Sequence, residues 1–472
     1  MCVCVCVCVH LRLAHTNPSL FNLSLSHTHT HTQGYDAPVG SLEEKLLRRS
    51  ISKTPELLKS FGLDSPAHTR RCGSIVVAWT AEELDKLPHV LERNHAAGDS
   101  SARLLSAEEL HELEPALSTN SLGAVLCPLE TVIDPYLFAM GYAESGRLHG
   151  VTTLLSTEVV GVVRSELEGT WKLQLCACDA SQSGRSEPSE LLVHPPKAEE
   201  DELGAMVMDE RKNVLGAIRA KAVINCAGLY GDKIECMKTP RESSFSIIPR
   251  KGQFLVFRAP PGLAIPSYIV EPIPNSFTKG VIVWTDIYGH VLVGPTATEQ
   301  ASREDRSTDL DTIEELHAYA LRVCPALKEA TIIGSYSGLR PATKEFRDYF
   351  IQAQPQEQWI SVGGIRSTGV SASAAIGEYV AELHDALAHA AGGSTGSSRV
   401  EHAADTVLPI SEAASQQVPV ASSIIRNPEV PPLGELAREY QARGDGRVTL
   451  FGIDRKVTHP IASFALQDFE LQ

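Results

Sequence analysis

The chain has 472 residues, enough for about two to three domains, and 43% hydrophobic with 21% charged residues is the composition of a globular enzyme. A net charge of -16 argues against a protein that binds nucleic-acid phosphates, and the absence of any apolar run of about 18 residues argues against a transmembrane segment. Eleven cysteines occur without a CxxC pair, which predicts no zinc or iron–sulfur site. We therefore expect no nucleic-acid partner, no metal and no membrane span.

Residues 1–32 contain two simple alternations, "CVCVCVCV" at 2–9 and "HTHTHT" at 27–32. TGT-GTG encodes Cys-Val and CAC-ACA encodes His-Thr, so one two-base DNA repeat and its complement account for both. A Cys/His metal tract is the alternative interpretation. We interpret residues 1–32 as low-complexity sequence without native structure and begin the folded chain at residue 33.

Helix and strand signals then follow in alternation. Residues 41–62 carry a helical stripe of leucines, and "GSIVVAWT" at 73–80 is typical of a buried strand. Thr80 with Glu83, and Ser106 with Glu109, have the spacing of capping boxes that begin helices. Asp134-Pro135 has the order of an N-cap and a first helical residue. Such interleaving predicts a nucleotide-binding layer and a second sheet domain inserted into each other.

Three segments interrupt or follow this pattern. Residues 181–204 are polar and acidic and predict a surface loop insertion, 391–430 a linker, and 431–472 a C-terminal extension with one short helix. No chemistry is evident in any of them.

Two glycine-rich segments follow predicted strands. "SVGGIRSTGVSAS" at 361–373 predicts a strand, a short loop and a helix whose free N–H groups point at one place, which suits a phosphate or a carbonyl oxygen. "INCAGLYGDK" at 224–233 ends a strand in small residues, so another backbone or a ligand can approach closely. Ordinary strand-to-helix packing explains either segment equally well.

Arginines mark a third segment, "SGLRPATKEFRDYF" at 337–350. Arg340 stands between a glycine-containing turn and a proline, and Arg347 follows seven residues later. Two guanidinium groups bind a carboxylate or phosphate well. A salt bridge of Arg347 to Glu345 or Asp348 is the alternative.

Together these segments resemble a known family. The motifs "LSAEELHELEPAL", "TVIDPYLFA", "STEVVGV", "INCAGLYGDKI", "IIPRKGQFLVF", "HVLVGPTATE", "YSGLRPA" and "GGIRSTGVSASAAIGEYV" occur in the order found in FAD-dependent oxidoreductases of the D-amino-acid oxidase superfamily. The most similar branch contains glycerol-3-phosphate dehydrogenase and L-2-hydroxyglutarate dehydrogenase. The resemblance covers residues 34–388.

The resemblance implies a mixed α/β (α+β) fold in which a Rossmann-like FAD-binding domain is interleaved with a β-sheet substrate (cap) domain over residues 33–390. The cofactor parts would be about 130–180, 216–238 and 330–390, and the substrate parts about 62–128 and 240–330.

It also assigns site residues by position. Val159 matches the residue whose backbone faces the adenine, and Ala227 and Gly228 match the segment beside the ADP half of FAD. The residues that match the flavin and substrate region are Gly338, Leu339, Arg340, Gly364, Ile365, Ser367, Thr368, Gly369 and Val370. Arg340 matches an arginine that holds an anionic substrate, and Arg347 is a second candidate for that role.

The implied reaction is oxidation of a small anionic hydroxy compound by hydride transfer to FAD, with quinone, flavoprotein or oxygen as the electron acceptor. His290 is the first candidate for a catalytic base, beside Tyr288 and Lys251, and a purely structural role is the alternative for each. An FAD amine or amino-acid oxidase and a non-catalytic remnant of the fold are the other functional hypotheses. The compartment is mitochondrial or cytoplasmic.

One element of the family pattern is not found. The chain contains no GxGxxG, since "AGGSTG" at 391–396 follows a helix rather than a strand. We therefore expect an FAD-binding domain truncated at its N-terminus, and a chain that retains FAD poorly.

Overall fold

The computed structural model describes residues 4–6, 30–31, 37–154, 157–165, 167–177, 214–238, 243–274, 280–392, 430–450, 453–457 and 460–468. The predicted loop insertion and most of the predicted linker lie outside these residues.

The strands, in chain order, are β1 (Cys4–Cys6), β2 (Thr30–His31), β3 (Thr69–Arg70), β4 (Ser74–Ala78), β5 (Arg103–Ser106), β6 (Gly123–Cys127), β7 (Thr131–Ile133), β8 (Thr157–Ser165), β9 (Thr170–Ala177), β10 (Val214–Ala220), β11 (Ala222–Asn225), β12 (Ile247–Arg258), β13 (Ile269–Pro272), β14 (Ile282–Thr285), β15 (His290–Gly294), β16 (Thr298–Glu299), β17 (Thr331–Thr343), β18 (Phe350–Gln354), β19 (Trp359–Gly363), β20 (Arg447–Leu450) and β21 (Ile453–Lys456).

The helices are α1 (Leu42–Ile51), α2 (Thr54–Ser60), α3 (Ala81–Leu84), α4 (Leu87–Ala97), α5 (Ala107–Leu113), α6 (Pro135–Leu148), α7 (Gly231–Lys238), α8 (Leu310–Val323), α9 (Gly369–Gly392), α10 (Leu433–Arg443) and α11 (Pro460–Asp468).

Two principal sheets form the body of the molecule. The larger has the order β16-β12-β15-β14-β13-β4-β6-β5, with β17 also paired to β12. The smaller has the order β1-β11-β19-β18, in which β11 and β19 are parallel. Strands of the two sheets alternate along the chain, which confirms the predicted mixed α/β fold with interleaved parts.

Local sequence signals place several helix starts as predicted. Thr80 and Ser106 each accept a hydrogen bond from the backbone N–H three residues on, and Glu83 and Glu109 complete both capping boxes. Asp134 caps α6 by accepting from the N–H groups of Tyr136 and Leu137, with Pro135 in the first turn.

The large sheet is buried on both faces because its central strands alternate between two apolar clusters. One face of β12, with Leu255 and Phe257, packs toward α8. The other face, with Phe254 and Val256, packs with Trp284 and Leu292 on the side that carries Tyr288 and Tyr336. This second face is therefore turned toward the elements that hold the candidate site.

The predicted C-terminal extension forms a unit, which we call the C-terminal unit, from α10, β20, β21 and α11. Its apolar side chains share one core with α2 and α6, and the buried members from the unit include Leu436, Leu450 and Leu466. Phe464 of α11 reaches β17, where a Cβ on Gly334 would lie 2.6 Å from its ring. The C-terminal unit therefore packs against a strand of the candidate site.

Two short strands lie within the predicted low-complexity region. Backbone pairing joins β1 in parallel to β11, with Val5 opposite Val223, and joins β2 to β7 in antiparallel orientation. The interpretation of residues 1–32 as sequence without native structure therefore does not cover these five residues. The predicted domain boundaries otherwise stay predictions.

Candidate active site

A long antiparallel ribbon of β12 and β17 carries the arginine of the candidate site. Arg340 lies opposite Arg250, Gly338 opposite Gly252, and Tyr336 opposite Phe254. Because directly opposed residues point to the same face of a sheet, the arginines, the bare glycines and the stacked Phe254–Tyr336 pair follow one another along one face.

Arg340 is a buried cation. Its guanidinium donates to the carbonyl oxygens of Arg250, Lys251 and Thr296 at 3.3, 3.2 and 2.6 Å. Glycine at 252 leaves room for this side chain, because a Cβ there would lie 2.9 Å from Cβ of Pro295 and 3.1 Å from Nη2 of Arg340. Burial, and then the positive charges of Arg250 and Arg366, lower the pKa of Arg340 to about 9. The arrangement favours a bound anion at this place.

The loop between β19 and α9 contains the residues matched to the flavin ring. Gly364 has a φ of +67°, and a Cβ there would lie 3.2 Å from Thr343 and 3.3 Å from the carbonyl oxygen of Asp348. Glycine is therefore needed both for the backbone conformation and for the close packing. The 24-residue helix α9 begins at Gly369, so its positive end lies at the end of this loop.

The residues matched to the ADP half lie at the end of β11 and on β8. Val159 is buried against Trp171 and Trp359, and Ala227 is buried with its N–H donating to Asn225 Oδ1 at 3.2 Å. Gly228 has a φ of +55°, and a Cβ there would meet nothing within 4 Å. The space beside Gly228 is therefore open to a ligand.

A buried polar network under this segment was not predicted from the sequence. Oε1 of Glu235 accepts from Asn225, Trp359 and Ser361 at 2.9, 2.8 and 2.6 Å, and Lys238 lies 3.3 Å from Oε2. This network connects α7 to both parallel strands, β11 and β19, and so fixes the direction in which β11 leads to Gly228. The Asn225 side chain in "INCAG" was the available signal.

Arg347 and His290 do not join Arg340. Arg347 is exposed, and its backbone oxygen accepts a hydrogen bond from Arg366. His290 lies opposite Arg258 at the far end of β12, eight residues or about 26 Å from Arg250. Asp286 lies 3.2 Å from Nδ1 of His290 and accepts from its backbone N–H at 2.9 Å, so the geometry shows a hairpin contact rather than a base beside Arg340.

The two other candidate bases are also engaged elsewhere. The Tyr288 hydroxyl donates to Asp134, and burial followed by the charge of Asp134 raises the pKa of Tyr288 well above its usual value. Lys251 points to the opposite face of β12 from Arg250 and Arg340, and its Nζ lies 3.0 Å from Asp305. Neither arrangement provides a proton acceptor beside Arg340.

The residues present fit FAD on its flavin side and at the end of β11. Gly228 leaves open space beside the backbone at the end of β11, the loop after β19 leads to the positive end of α9, and Arg340 supplies a cation. The segment after β1 has no matching loop chemistry, because the chain has no glycine before Gly34.

The described residues also bear on metal and membrane partners. Within the described ranges there is no group of three or more His, Cys, Asp or Glu side chains arranged to hold a metal ion. Within the same ranges, every helix is too short or too polar to cross a membrane.

Comparison with known proteins places the chain in a family. A glycerol 3-phosphate dehydrogenase of Caloramator mitchellensis is 28% identical over 352 residues, which is 74% of this chain and 63% of that protein. The mitochondrial L-2-hydroxyglutarate dehydrogenase of Mus musculus is 26% identical over 249 residues, 51% of this chain and 46% of that protein. The chain thus spans less than two thirds of the length of either relative.

A solved structure supports the fold. The FAD-bound L-alpha-glycerophosphate oxidase of Mycoplasma pneumoniae superposes with a TM-score of 0.61 at 22% identity, over 77% of this chain and 84% of that one. The DAO family, described as FAD-dependent oxidoreductases, matches residues 22–383. FAD, the cofactor predicted from the sequence, is the cofactor of that family. The chain belongs to the DAO family of FAD-dependent oxidoreductases.

Proposed function

We propose that this chain oxidises a small anionic hydroxy compound, and that glycerol 3-phosphate is a better substrate than a 2-hydroxy acid. The observation that carries this proposal is the buried guanidinium of Arg340, which lies across the β12–β17 ribbon from Arg250, itself paired with Glu299 at 2.7 Å. A phosphate monoester carries up to two negative charges and accepts hydrogen bonds on three oxygens, and therefore suits such a place better than one carboxylate. The glycerol 3-phosphate dehydrogenase relative, matched over 352 residues, also supports it.

Arg340 would act by orientation. Its guanidinium would hold the anionic end of the substrate and so fix the angle at which the hydroxyl-bearing carbon meets the glycine-lined part of the ribbon. Bound FAD would supply the acceptor for the hydride. The stacked aromatic side chains of Phe254, which is buried, and Tyr336, which is partly buried, would exclude water from the other end of this face.

Substitution of Arg340 tests the proposal. We expect Arg340→Ala to lower kcat/KM for glycerol 3-phosphate by about two orders of magnitude, mostly through KM, because truncating a buried charged partner costs about 3 kcal/mol. Arg340→Lys should keep part of the affinity, since it retains charge but loses the planar fork. The exposed Arg258, at the other end of β12, provides the matched control Arg258→Ala.

Substrate ranking gives the second part of the test. Glycerol 3-phosphate, L-2-hydroxyglutarate and sarcosine are compared with the same FAD-loaded enzyme. Turnover of glycerol 3-phosphate whose kcat/KM falls about a hundredfold in Arg340→Ala supports the proposal. Preferred turnover of sarcosine, or unchanged kinetics in Arg340→Ala, contradicts it and favours an amine oxidase.

A further inference from the structure

Glu43, in the first turn of α1, makes contacts far from its own position in the chain. Its side chain is buried, and its Oε1 accepts a hydrogen bond from the Thr368 hydroxyl at 2.5 Å. Its Oε2 lies 3.1 Å from Nη2 of Arg366. Both partners belong to the loop that leads into α9. Glu43 therefore binds the loop that contains the residues matched to the flavin ring.

The same loop is bound from a second side. The Tyr349 hydroxyl lies 2.6 Å from the Thr368 hydroxyl, and burial raises the pKa of Tyr349 well above its usual value, with the Glu43 charge adding to that shift. A phenol in this state stays protonated. The Thr368 hydroxyl thus lies between a carboxylate and a phenol, and its position is fixed by both.

Helix α1 is itself held at both ends, by the segment before β18 at its start and by α9 near its end. At its start, the Asp348 carboxylate accepts from the N–H groups of Leu42 and Glu43 at 2.6 and 2.9 Å. Near its end, Arg49 donates to Glu378 and Glu382 of α9 at 2.9 and 2.6 Å. Asp348 thus caps α1 while Glu43 binds the loop before α9, so the placement of Glu43 does not depend on the loop alone.

The charges at this place have opposite expected effects on a bound flavin. The N-terminal end of the long helix α9 is positive and favours negative charge nearby. Reduction of a flavin beside the loop adds negative charge there. The Glu43 carboxylate opposes that added charge, whereas the Arg366 guanidinium favours it.

We propose that Glu43 is a positioning residue for the loop 364–370, and that Glu43 and Arg366 together set the reduction potential of FAD bound beside it. This inference rests on the proposed function in one respect, which is that FAD binds beside this loop. It concerns the cofactor rather than the substrate.

The reduction potential provides the first test, on the full chain loaded with FAD. Glu43→Gln should shift the potential to a more positive value, and Arg366→Gln to a more negative one. Glu44→Gln is the matched control, since its described side-chain contacts, to Gly40 and Arg48, stay at the start of α1, and it should leave the potential unchanged. Shifts of the same sign for Glu43→Gln and Arg366→Gln, or no shift, would overturn the electrostatic part.

Hydrogen exchange provides a second test that needs neither FAD nor substrate. In the FAD-free chain, amides of residues 364–370 should exchange several-fold faster in Glu43→Gln and in Thr368→Val than in the parent protein, because the contact that orders the loop is lost. Thr368→Ser, which keeps the hydroxyl, and Glu44→Gln should behave like the parent. Equal exchange in all variants would overturn the positioning role.

The two tests separate this inference from the proposed function. A chain that shows the opposite potential shifts but oxidises no anionic hydroxy compound would support the role of Glu43 and Arg366 and contradict the substrate proposal. If the chain oxidises glycerol 3-phosphate but neither Glu43→Gln nor Arg366→Gln shifts the reduction potential, the substrate proposal is supported and the role of Glu43 and Arg366 is contradicted.

Discussion

Strands β19 and β1 of the small sheet lie on either side of β11 and differ in the contacts that hold them in place. On one side, β19 is paired on both edges, ends in Gly363–Gly364 and leads into α9, whose preceding loop is bound by Glu43, Arg366 and Tyr349. On the other side, β1 pairs with β11 alone and is followed by sequence without glycine until Gly34.

Among the described residues, cofactor-type loop chemistry lies on the side of β11 that carries β19. That side combines a glycine in the left-handed region, a helix N-terminus and a fixed polar network. The side with β1 provides backbone pairing. We therefore expect substitutions near β19 to lower stability strongly and those in β1 to lower it little. Substitutions in the core of the C-terminal unit should also lower stability strongly, although that unit carries no sequence motif.

The largest effect is expected at Gly364. Gly364→Val combines a left-handed φ, which costs a β-branched residue about 2 kcal/mol, with overpacking against Thr343, which costs about 2 more. Chemical denaturation should show a loss of about 4 kcal/mol, and FAD binding should weaken with it. Gly228→Val is the comparison, because Gly228 has a similar φ but open space. Equal losses in both would show that the close packing at Gly364 contributes nothing.

A smaller loss is expected in the C-terminal unit. Leu450 is buried in the core that the unit shares with α2 and α6, so Leu450→Ala should lower the free energy of unfolding by about 3 kcal/mol. The exposed Leu310 provides the control Leu310→Ala, expected within about 0.5 kcal/mol of the parent. If the two variants unfold alike, the unit is a detached appendage and not part of the body.

The pH dependence tests the Arg340 end of the ribbon. Arg340 is charged below its pKa of about 9, so kcat/KM for an anionic substrate should fall about tenfold per pH unit above that value. A bound anion stabilises the charged form, which places the corresponding fall in kcat at higher pH. Since the unfolded chain holds this proton more tightly, stability should rise with pH between about 9 and the ordinary arginine value. A flat kcat/KM profile across pH 9 would contradict this account.

The smallest effect is expected in β1. Val5→Pro disrupts an edge pairing and should cost about 1 kcal/mol. Ile360→Pro in β19, which is paired on both sides, should cost about 3 kcal/mol or more. A loss as large for Val5→Pro as for Ile360→Pro would show that β1 is an integral part of the sheet.

Local features of the fold could be predicted from the sequence and distant ones could not. The caps at Thr80, Ser106 and Asp134 were correct because each depends on residues within three positions. The pairing of Arg340 with Arg250 depends on strand register across 90 residues, and the contact of Glu43 with Thr368 spans 325. A local hydrophobic periodicity carries no information about contacts between residues so far apart in the chain.

The same reason explains what was missed in the C-terminal unit. Its leucines are ordinary in composition and become informative only when packed against α6, about 300 residues earlier in the chain. His290 illustrates the opposite case. A histidine in a strand-rich segment is a reasonable base from sequence, and that role stays a prediction, but the hairpin at Asp286 places His290 at the opposite end of β12 from Arg250.

The central claim is that FAD and Arg340 act together on a small anion. The most direct measurement is the anaerobic reduction of FAD in the FAD-loaded full chain, monitored through the visible absorbance of the flavin. Glycerol 3-phosphate is added to the parent protein and to Arg340→Ala. The account predicts that glycerol 3-phosphate bleaches the flavin of the parent and that Arg340→Ala needs about a hundredfold more for the same rate. A flavin that glycerol 3-phosphate does not bleach, or that it bleaches equally well in both proteins, would contradict it.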